Sequence, residues 1–392
     1  MRRKWLKGAL WVLLTPIILF VILMILLYVP PVQNFIRKQA TAIASDATGM
    51  NISVERIDLR FPLNLLVRGV QVVQSENDAV DMQHPDTLLN LGSLNVRVQA
   101  WPLLQGRVEV DDITLQQVAV NSSTLLEGMH IKGTLGRFFL ESHGIDLKKE
   151  NAVLNSVELS NTHVQVILAD TAEAPKDTVE TALNWRIALH SLKLKNVSVD
   201  LQMPLDSMTL AANIGDASIE DANADLKRQF YGWRKFALTG TAVNYDSGTA
   251  APVEGFDASH IALRDIRIGI DSVMSCGRDM NAVIREFSMY DRSGLTVTSL
   301  TGRLFADSTL IRVPHLQFTT PHSEMNLTAQ TYWKLVDIPT TGRLSARFNA
   351  NIGKQDVLLF AGGLPETFKE AYPFRPLVIH AGTEGNLKQM QI

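Results

Sequence analysis

The sequence is poor in the residues that build covalent or metal-bound sites. A single cysteine, Cys276, occurs among the 392 residues, so an intramolecular disulfide and a multi-cysteine zinc site are both excluded. The nine histidines are scattered, and no two of them stand at the spacing of metal ligands. The stretch from Asp221 to Asp225 begins like a calcium loop, but Leu226 occupies the position that requires glycine. We therefore predict no metal site.

Sequence motifs of common enzyme active sites are also lacking. None of the patterns G-x-S-x-G, H-E-x-x-H, G-x-x-x-x-G-K-[ST] and G-x-G-x-x-G occurs in the chain. The aspartates and glutamates are dispersed among the expected turns, and nothing singles out two of them as a general acid and base. We therefore predict that the protein is not an enzyme and has no catalytic residue and no cofactor.

A cluster of basic residues is missing everywhere after residue 7. Arg2, Arg3, Lys4 and Lys7 stand at the amino end, and residues 1–29 contain no acidic residue. The remaining chain has 33 basic residues (37 minus 4) against 40 acidic ones, a net charge of −7. Because a surface that binds phosphates needs clustered lysine and arginine, we predict no nucleic-acid partner.

One long apolar run dominates the amino end. Residues 9–29 carry no charge, and a helix of that length would be about 30 Å long, the thickness of a bilayer core. The run continues into Tyr28-Val29-Pro30-Pro31 without a small-residue cleavage site, so we interpret it as an uncleaved transmembrane signal anchor. The basic residues of the tail 1–8 set the topology: this tail stays cytoplasmic and residues 30–392 lie on the other side.

An amphipathic helix is predicted next, over residues 30–49. Its apolar positions recur at spacings of three and four, and Gly49 is placed to end it. The helix could lie on the membrane surface or cap the end of the following structure. We favour the cap, since the apolar face has little bulk and Arg37 and Lys38 are its only positive charges. The apolar face comprises Val32, Phe35, Ile36, Gln39, Ala40, Ile43 and Ala47.

The apolar period changes from 3.6 to 2 residues at Asn51 and keeps that value. Runs of alternating valine, isoleucine and leucine, punctuated by Gly, Pro, Asn and Asp, predict a mainly β region over residues 50–392. Only two later stretches have a helical pattern, Asp221–Trp233 weakly and Pro365–Tyr372. Segment 170–183 is polar and low in bulk, which predicts a mobile loop.

One phrase recurs within these strands with its apolar alternation shifted in the middle. Ile113, Leu115, Val118 and Val120 stand at offsets 0, 2, 5 and 7. The same offsets recur in copies that begin at Val157, Leu192 and Ile261, with Thr162 as the one non-aliphatic member. The copies are too unevenly spaced for a solenoid. We predict a strand, a bulge or tight turn, and then a strand resumed with its apolar residues still on one side.

A long antiparallel sheet with one apolar face must bury that face. Few helices are available to cover it, which leaves a sandwich, a closed barrel or a curved trough that holds something apolar. If the sheet forms an apolar groove, the side chains expected to line it are Leu94, Val96, Val98, Val108, Val110, Ile113, Leu115, Val118, Val120, Val197 and Val199. The alternative is that these residues form an ordinary closed core.

The order of segments and three phrases are distinctive when taken together. Behind the anchor, a glycine-ended helix leads into Val54-x-x-Ile57-x-Leu59 and then Leu94-x-Val96-Arg97-Val98. The third phrase is Trp101-Pro-Leu-Leu-x-Gly-x-Val108-x-Val110-x-x-Ile113-x-Leu115. Over residues 1–121 this resembles the amino-terminal portion of the AsmA-like family, nearest to its TamB-like branch (translocation and assembly module inner-membrane component) in Bacteroides-type bacteria.

The resemblance implies a fold, a location and partners. It implies an elongated, curved antiparallel sheet that forms an apolar groove, anchored in the inner membrane with the bulk of the chain in the periplasm. It implies phospholipid as the cargo, conducted toward the outer membrane. It also implies a second role in outer-membrane protein assembly, by pairing of a sheet edge with a barrel protein. Members of the family are usually longer, so we expect region 50–392 to be truncated at its carboxyl end.

Overall fold

The protein is described by a computed structural model. It covers residues 30–60, 63–74, 86–99, 109–122, 125–126, 128–146, 149–168, 184–338, 340–361, 365–386, 388 and 390–391. The predicted basic tail, the predicted transmembrane segment 9–29 and the predicted mobile loop 170–183 lie outside these residues. Within the covered ranges, no helix has both the length and the apolar character needed to span a bilayer.

The predicted β class is confirmed, with 68% of the structure in strands. The chain forms two compact units. Unit 1 comprises residues 1–123 and 134–138, and unit 2 comprises residues 124–133 and 139–392. Strand β5 (Met129–Asp146) contributes residues to both.

Unit 1 is a four-stranded antiparallel meander preceded by a helix. The helix α1 spans Pro30–Thr48, close to the predicted 30–49. Strand β1 pairs with β2, β2 with β3 and β3 with β4, each in antiparallel register. The strands are β1 (Asn51–Arg60), β2 (Asn64–Val73), β3 (Thr87–Val98) and β4 (Val110–Asn121).

Helix α1 lies against β1 and is held there by polar side chains. Arg37 Nη1 donates to the carbonyls of Val54 (3.3 Å) and Glu55 (2.7 Å), and Gln33 Nε2 donates to that of Leu59 (3.4 Å). These bonds satisfy backbone groups of β1, as a covering element does for a sheet edge. Four members of the predicted apolar face of the helix are instead exposed, namely Phe35, Gln39, Ile43 and Ala47.

Among the described residues, unit 2 contains the longer strands, a 3-10 turn at Pro204–Asp206 and three short α-helices. Its strands after β5 are β6 (Asn151–Leu168), β7 (Arg186–Met203), β8 (Met208–Asp225), β9 (Phe230–Ser247), β10 (His260–Cys276), β11 (Asp279–Asp291), β12 (Thr296–Val297), β13 (Ser299–Ala306), β14 (Leu310–Thr319), β15 (Glu324–Tyr332), β16 (Leu344–Ile352), β17 (Leu377–Gly385) and β18 (Met390–Gln391). The helices are α2 (Trp333–Asp337), α3 (Lys354–Phe360) and α4 (Glu366–Ala371).

The pairing in unit 2 is mixed, which corrects the prediction of a purely antiparallel sheet. Strands β6 and β7 run parallel, with Val157 opposite Leu192 and Val164 opposite Val199. A parallel pair needs a crossover of a dozen or more residues, and residues 169–185 provide that length. From β7 to β18 the described neighbours pair antiparallel, in a series that no described pairing closes into a ring.

Of the two later stretches predicted to be helical, one contains a helix, and the prediction for the other is wrong. Helix α4 forms inside the predicted stretch Pro365–Tyr372. The stretch Asp221–Trp233 is the end of β8, a turn at 226–229 and the start of β9. Asp225 lies opposite both Arg186 of β7 and Phe230 of β9, so pairing on both sides prevails over a weak local preference for helix.

The shift in the repeated phrase has a single backbone cause. The fifth residue of every predicted copy adopts a left-handed conformation: Gln117 (φ 55°), Asn161 (φ 52°), Asn196 (φ 53°) and Asp265 (φ 52°). Asn and Asp tolerate this region better than other residues that have a Cβ. The predicted interruption is therefore one left-handed residue inside a continuous strand. The strand register continues unbroken past Gln117, Asn161 and Asn196, so the predicted bulge forms only at Asp265. The structure adds two further instances with glycine, Gly69 in β2 and Gly240 in β9.

These left-handed residues lie in one row of each unit, together with Glu55, Gly92 and Gly215, which are not left-handed. In unit 1 the register places Glu55, Gly69, Gly92 and Gln117 in one row across β1–β4. The strands approach so closely there that a Cβ on Gly92 would lie 2.9 Å from Cβ of Gln117. We call this row, and its counterpart in unit 2, the crease.

The crease of unit 2 crosses β6 to β10. Asn196 Nδ2 donates to Asn161 Oδ1 at 2.9 Å across the parallel pair. A Cβ on Gly215 would lie 2.7 Å from the carbonyl oxygen of Gly240. At Asp265, β10 has one more residue than β9 between paired positions, which is a bulge. Irregular backbone is not confined to the crease, because Asp221 in β8 and Ser272 in β10 are also left-handed.

The left-handed requirement can be tested at Asn196, which is exposed. Asn196→Val should lower the free energy of unfolding by about 1–2 kcal/mol, because a β-branched residue is strained at positive φ. Asn196→Gly should stay near wild type, since glycine adopts this conformation freely. Lys195→Val is the matched control, one residue away with an ordinary backbone. Urea unfolding followed by circular dichroism measures the difference, and equal stability of the two valine variants would contradict the requirement.

Candidate functional site

One face of the sheet in unit 1 is apolar on both sides of the crease. Directly paired residues share a face of a sheet. All four strands therefore contribute aliphatic side chains to the same side, at offsets 0, 2, 5 and 7. The four rows across β1–β4 are Ile52, Val72, Leu89 and Val120; Val54, Val70, Leu91 and Val118; Ile57, Val67, Leu94 and Leu115; and Leu59, Leu65, Val96 and Ile113.

Most side chains in the apolar rows of unit 1 are half-buried. Among these sixteen side chains Leu91 alone is buried, and Val120 is 40% exposed. The opposite face is polar, as in the row Arg60, Asn64, Arg97 and Asp112, where Arg97 Nε lies 2.8 Å from Asp112 Oδ2. The sheet of unit 1 thus has one polar face and one apolar face whose side chains are mostly half-buried among the described residues.

Unit 2 repeats the arrangement over its long strands. Its apolar rows run across β6–β10 and reach β11. Two of these rows are Leu159, Leu194, Ala217, Leu238, Ile268 and Phe287; and Val164, Val199, Ala212, Val243 and Leu263. The opposite face is polar, as in the row Ser191, Glu220, Lys235 and Asp271.

Burial varies along the apolar face of unit 2 in step with the crease. Thr162, Val197 and Ile266 at the crease are buried, at 7%, 6% and 5% exposure. Val199, one step further along β7 on the same face, is 38% exposed. Because no described layer covers these residues, their burial at the crease comes from neighbouring rows of the same sheet.

The predicted groove residues fall into two sets, one in each unit. The set in unit 1 shares one face, and six of its members form three direct cross-strand pairs, whereas Val118 and Val120 lie opposite Leu91 and Leu89. This set comprises Leu94, Val96, Val98, Val110, Ile113, Leu115, Val118 and Val120. Val197 and Val199 lie on the apolar face of unit 2, and Val108 lies outside the described residues.

Several contributors to the apolar face were missed from the sequence. Strands β1, β2 and β3 follow the same offsets as the predicted copies, which a wider search for the spacing would have found. In β8 and β9 the pattern is filled by small residues such as Ala212, Ala217 and Thr241, which carry a weak hydropathic signal.

At one end of unit 2, the apolar face forms part of the wall of a cavity that lies beneath α3 and α4. Phe287, the last residue of one apolar row, lines this cavity of about 540 Å³. Its other large lining side chains are Met289, Phe318, Met325, Phe360 and Phe368. Asp356 of α3 also lines the cavity, and its carboxylate accepts hydrogen bonds from the hydroxyls of Thr320 and Ser323. These bonds attach α3 to the turn between β14 and β15.

A loop before β10 lies on the other side of α3. Phe256 N–H donates to the Leu359 carbonyl at 2.7 Å, and the Phe256 and Phe360 ring centroids are 5.3 Å apart. The loop is closed by Asp257, which accepts from the backbone N–H groups of Val253 and Ser259. These two hydrogen bonds, and then that with His260, hold the pKa of Asp257 below its ordinary value, against the opposing effect of burial.

No protein-family model and no curated protein matches this chain. The function is therefore inferred from the geometry of the two apolar faces and the cavity.

The depressed pKa of Asp257 predicts how the loop responds to acid. A carboxyl group with a lowered folded pKa stabilises the folded loop above its ordinary value of 3.8, and that stabilisation is lost as the pH falls through the lower folded value. Asp257→Asn should remove it at every pH. Hydrogen exchange of the Phe256 amide, corrected for intrinsic rates, should be faster in the variant at pH 7. An exchange rate equal to wild type would contradict the role assigned to Asp257.

Proposed function

We propose that the protein is an inner-membrane-anchored periplasmic protein that conducts phospholipid toward the outer membrane along an apolar β-groove. The observation that carries this proposal is the open apolar face, which extends over four rows in unit 1 and over β6–β11 in unit 2. A soluble domain usually covers such a face with a second layer. Here the face is available to an apolar ligand.

The energetic case depends on the size of an acyl chain. Exposing a methylene to water costs about 0.8 kcal/mol, so a chain of roughly 16 carbons costs about 12 kcal/mol. Side chains such as Val120 and Val199, each more than a third exposed, can take up part of that cost by contacting the chain. Because successive rows have the same aliphatic chemistry, a bound chain meets similar surroundings from row to row. Such a surface permits sliding in either direction, so net transport has to be driven from outside the groove.

The proposed location, an inner-membrane anchor with the bulk of the chain in the periplasm, is inferred from the amino-terminal segment. The uncharged segment 9–29 behind four basic residues supports a single-pass anchor with its amino end in the cytoplasm. Helix α1 then begins at Pro30, directly after this segment, and lies against β1. This order connects the proposed anchor to the first strand of the apolar face of unit 1.

A second candidate function is favoured by the edge of β17. Strand β18 pairs only with Glu384 and Gly385. The remainder of β17, from Leu377 to Thr383, has no second partner strand among the described residues, and Val378 there is 58% exposed. An open edge can accept a strand from another protein, such as an outer-membrane barrel during assembly.

Lipid transfer by the full chain distinguishes the two functions. Val120→Asp and Val199→Asp place a carboxylate on the apolar faces at exposed positions that should tolerate it. Each should slow the transfer of a fluorescent phospholipid from vesicles that carry the protein to acceptor vesicles by at least roughly tenfold, because a charge in an apolar path costs about 2.5–3.5 kcal/mol.

The matched control is Ala119→Asp, one residue from Val120 and on the opposite face. It should transfer lipid at the wild-type rate. Normal transfer by both valine variants would contradict conduction along the apolar faces. It would instead favour edge pairing, since neither substitution alters the edge of β17.

A further inference from the structure

The apolar cavity beneath α3 and α4 has a polar neighbour. A second cavity, of about 940 Å³, lies against the other side of α3. Phe360, the last residue of α3, lines both, so the two cavities are neighbours at that end of the helix. Both volumes fall in the range of about 300–1,000 Å³ typical of small-molecule sites.

The polar cavity carries charges of both signs. Its lining includes Lys354, Lys369, Glu254, Glu366 and Glu370. Lys369 Nζ lies 2.7 Å from Glu366 Oε1, so these two charges offset each other. The remaining three make no ion pair with any residue that the structure describes, although Lys354 Nζ lies 4.5 Å from the centroid of the Phe374 ring. One free positive charge and two free negative charges are therefore presented to a ligand.

From this juxtaposition we propose that the two cavities together bind one zwitterionic phospholipid, with an acyl chain in the apolar cavity and the headgroup in the polar one. The ligand class rests on the proposed function. The phosphate of the headgroup pairs with Lys354, and its ammonium pairs with Glu254 and Glu370. A headgroup without an ammonium leaves both glutamates unmatched and close to a like charge, so the site discriminates against it.

The position of the site gives it a distinct role. The row that ends at Phe287 leads from the apolar face of unit 2 into the apolar cavity. Helices α3 and α4 cover the sheet there, and the loop that carries Phe256 is fastened to Leu359. A lipid at this end is held by its headgroup as well as by its chain, unlike a lipid on the uniform aliphatic rows.

Photo-crosslinking of the full chain in lipid nanodiscs tests the site. Two probes share one diazirine-bearing acyl chain and differ in headgroup, phosphatidylethanolamine and phosphatidylglycerol. Cross-links mapped by mass spectrometry should concentrate at cavity residues such as Phe287 and Met325. The ethanolamine probe should give roughly two- to fivefold more of them, the effect of one or two partly exposed ion pairs.

Two variants probe the headgroup and the chain separately. Glu254→Lys combined with Glu370→Lys should reverse the preference toward phosphatidylglycerol, whereas Glu286→Lys on the polar sheet face should leave it unchanged. Met325→Trp should fill the apolar cavity and remove its cross-links with both probes, and Met325→Leu should retain them. Far-UV circular dichroism confirms that each variant is folded.

Cross-links spread evenly along the chain would overturn the site, as would a headgroup preference unaffected by the double lysine variant. Failure here is separable from failure of the proposed function. If the wild-type protein transfers lipid but no cross-links form in the cavity, the proposed binding site is contradicted and conduction is retained. If cross-links form in the cavity and the Val199→Asp variant transfers lipid normally, conduction along the apolar face is contradicted and the proposed binding site is retained.

Discussion

The left-handed residue at the crease is the constraint on which the rest of the structure depends. A regular strand turns successive side chains to opposite faces, so one shift of phase would move half of its aliphatic residues to the polar side. In each strand that has a left-handed residue at the crease, the shift occurs at that one residue. These residues are Gln117, Asn161, Asn196, Asp265, Gly69 and Gly240. In unit 1 these residues occur in alternate strands, since Gly69 lies opposite Glu55 and Gln117 opposite Gly92. The aliphatic rows on both sides of the crease are nevertheless paired across all four strands.

Contacts within the sheet of unit 1 connect its strands. Backbone pairing and the ion pairs of the polar side, such as Arg97 with Asp112, link neighbouring strands. In unit 2, Val197 and Ile266 beside the crease are buried, at 6% and 5% exposure. Aliphatic residues away from the crease are buried more deeply, namely Ala361, Ala306, Val297 and Ala350. The apolar rows on either side of the crease are half-buried, so part of their surface remains in contact with water. An acyl chain that covers this surface gains hydrophobic free energy.

The sequence was most informative where a local pattern determines the structure. Alternating valine and leucine predicted the strands, and offsets of 0, 2, 5 and 7 located the left-handed residue in each predicted copy. The parallel direction of β6 and β7 could not be predicted, because it depends on a pairing between distant segments. The helix expected at Asp221–Trp233 failed for the same reason, since pairing with β7 and β10 decides the conformation of those residues. The cavity under α3 and α4 depends on side chains from β11, β14 and β15 that no short motif connects.

Native mass spectrometry of the gently purified full chain tests the central claim most directly. Lipid bound around a membrane anchor would be common to all variants, so the comparison is between wild type and the chain that carries both Val120→Asp and Val199→Asp. Lipid conduction along the apolar faces predicts phospholipid adducts on the wild-type chain that are depleted in the double variant. A folded wild-type chain with no more phospholipid than the double variant would contradict it.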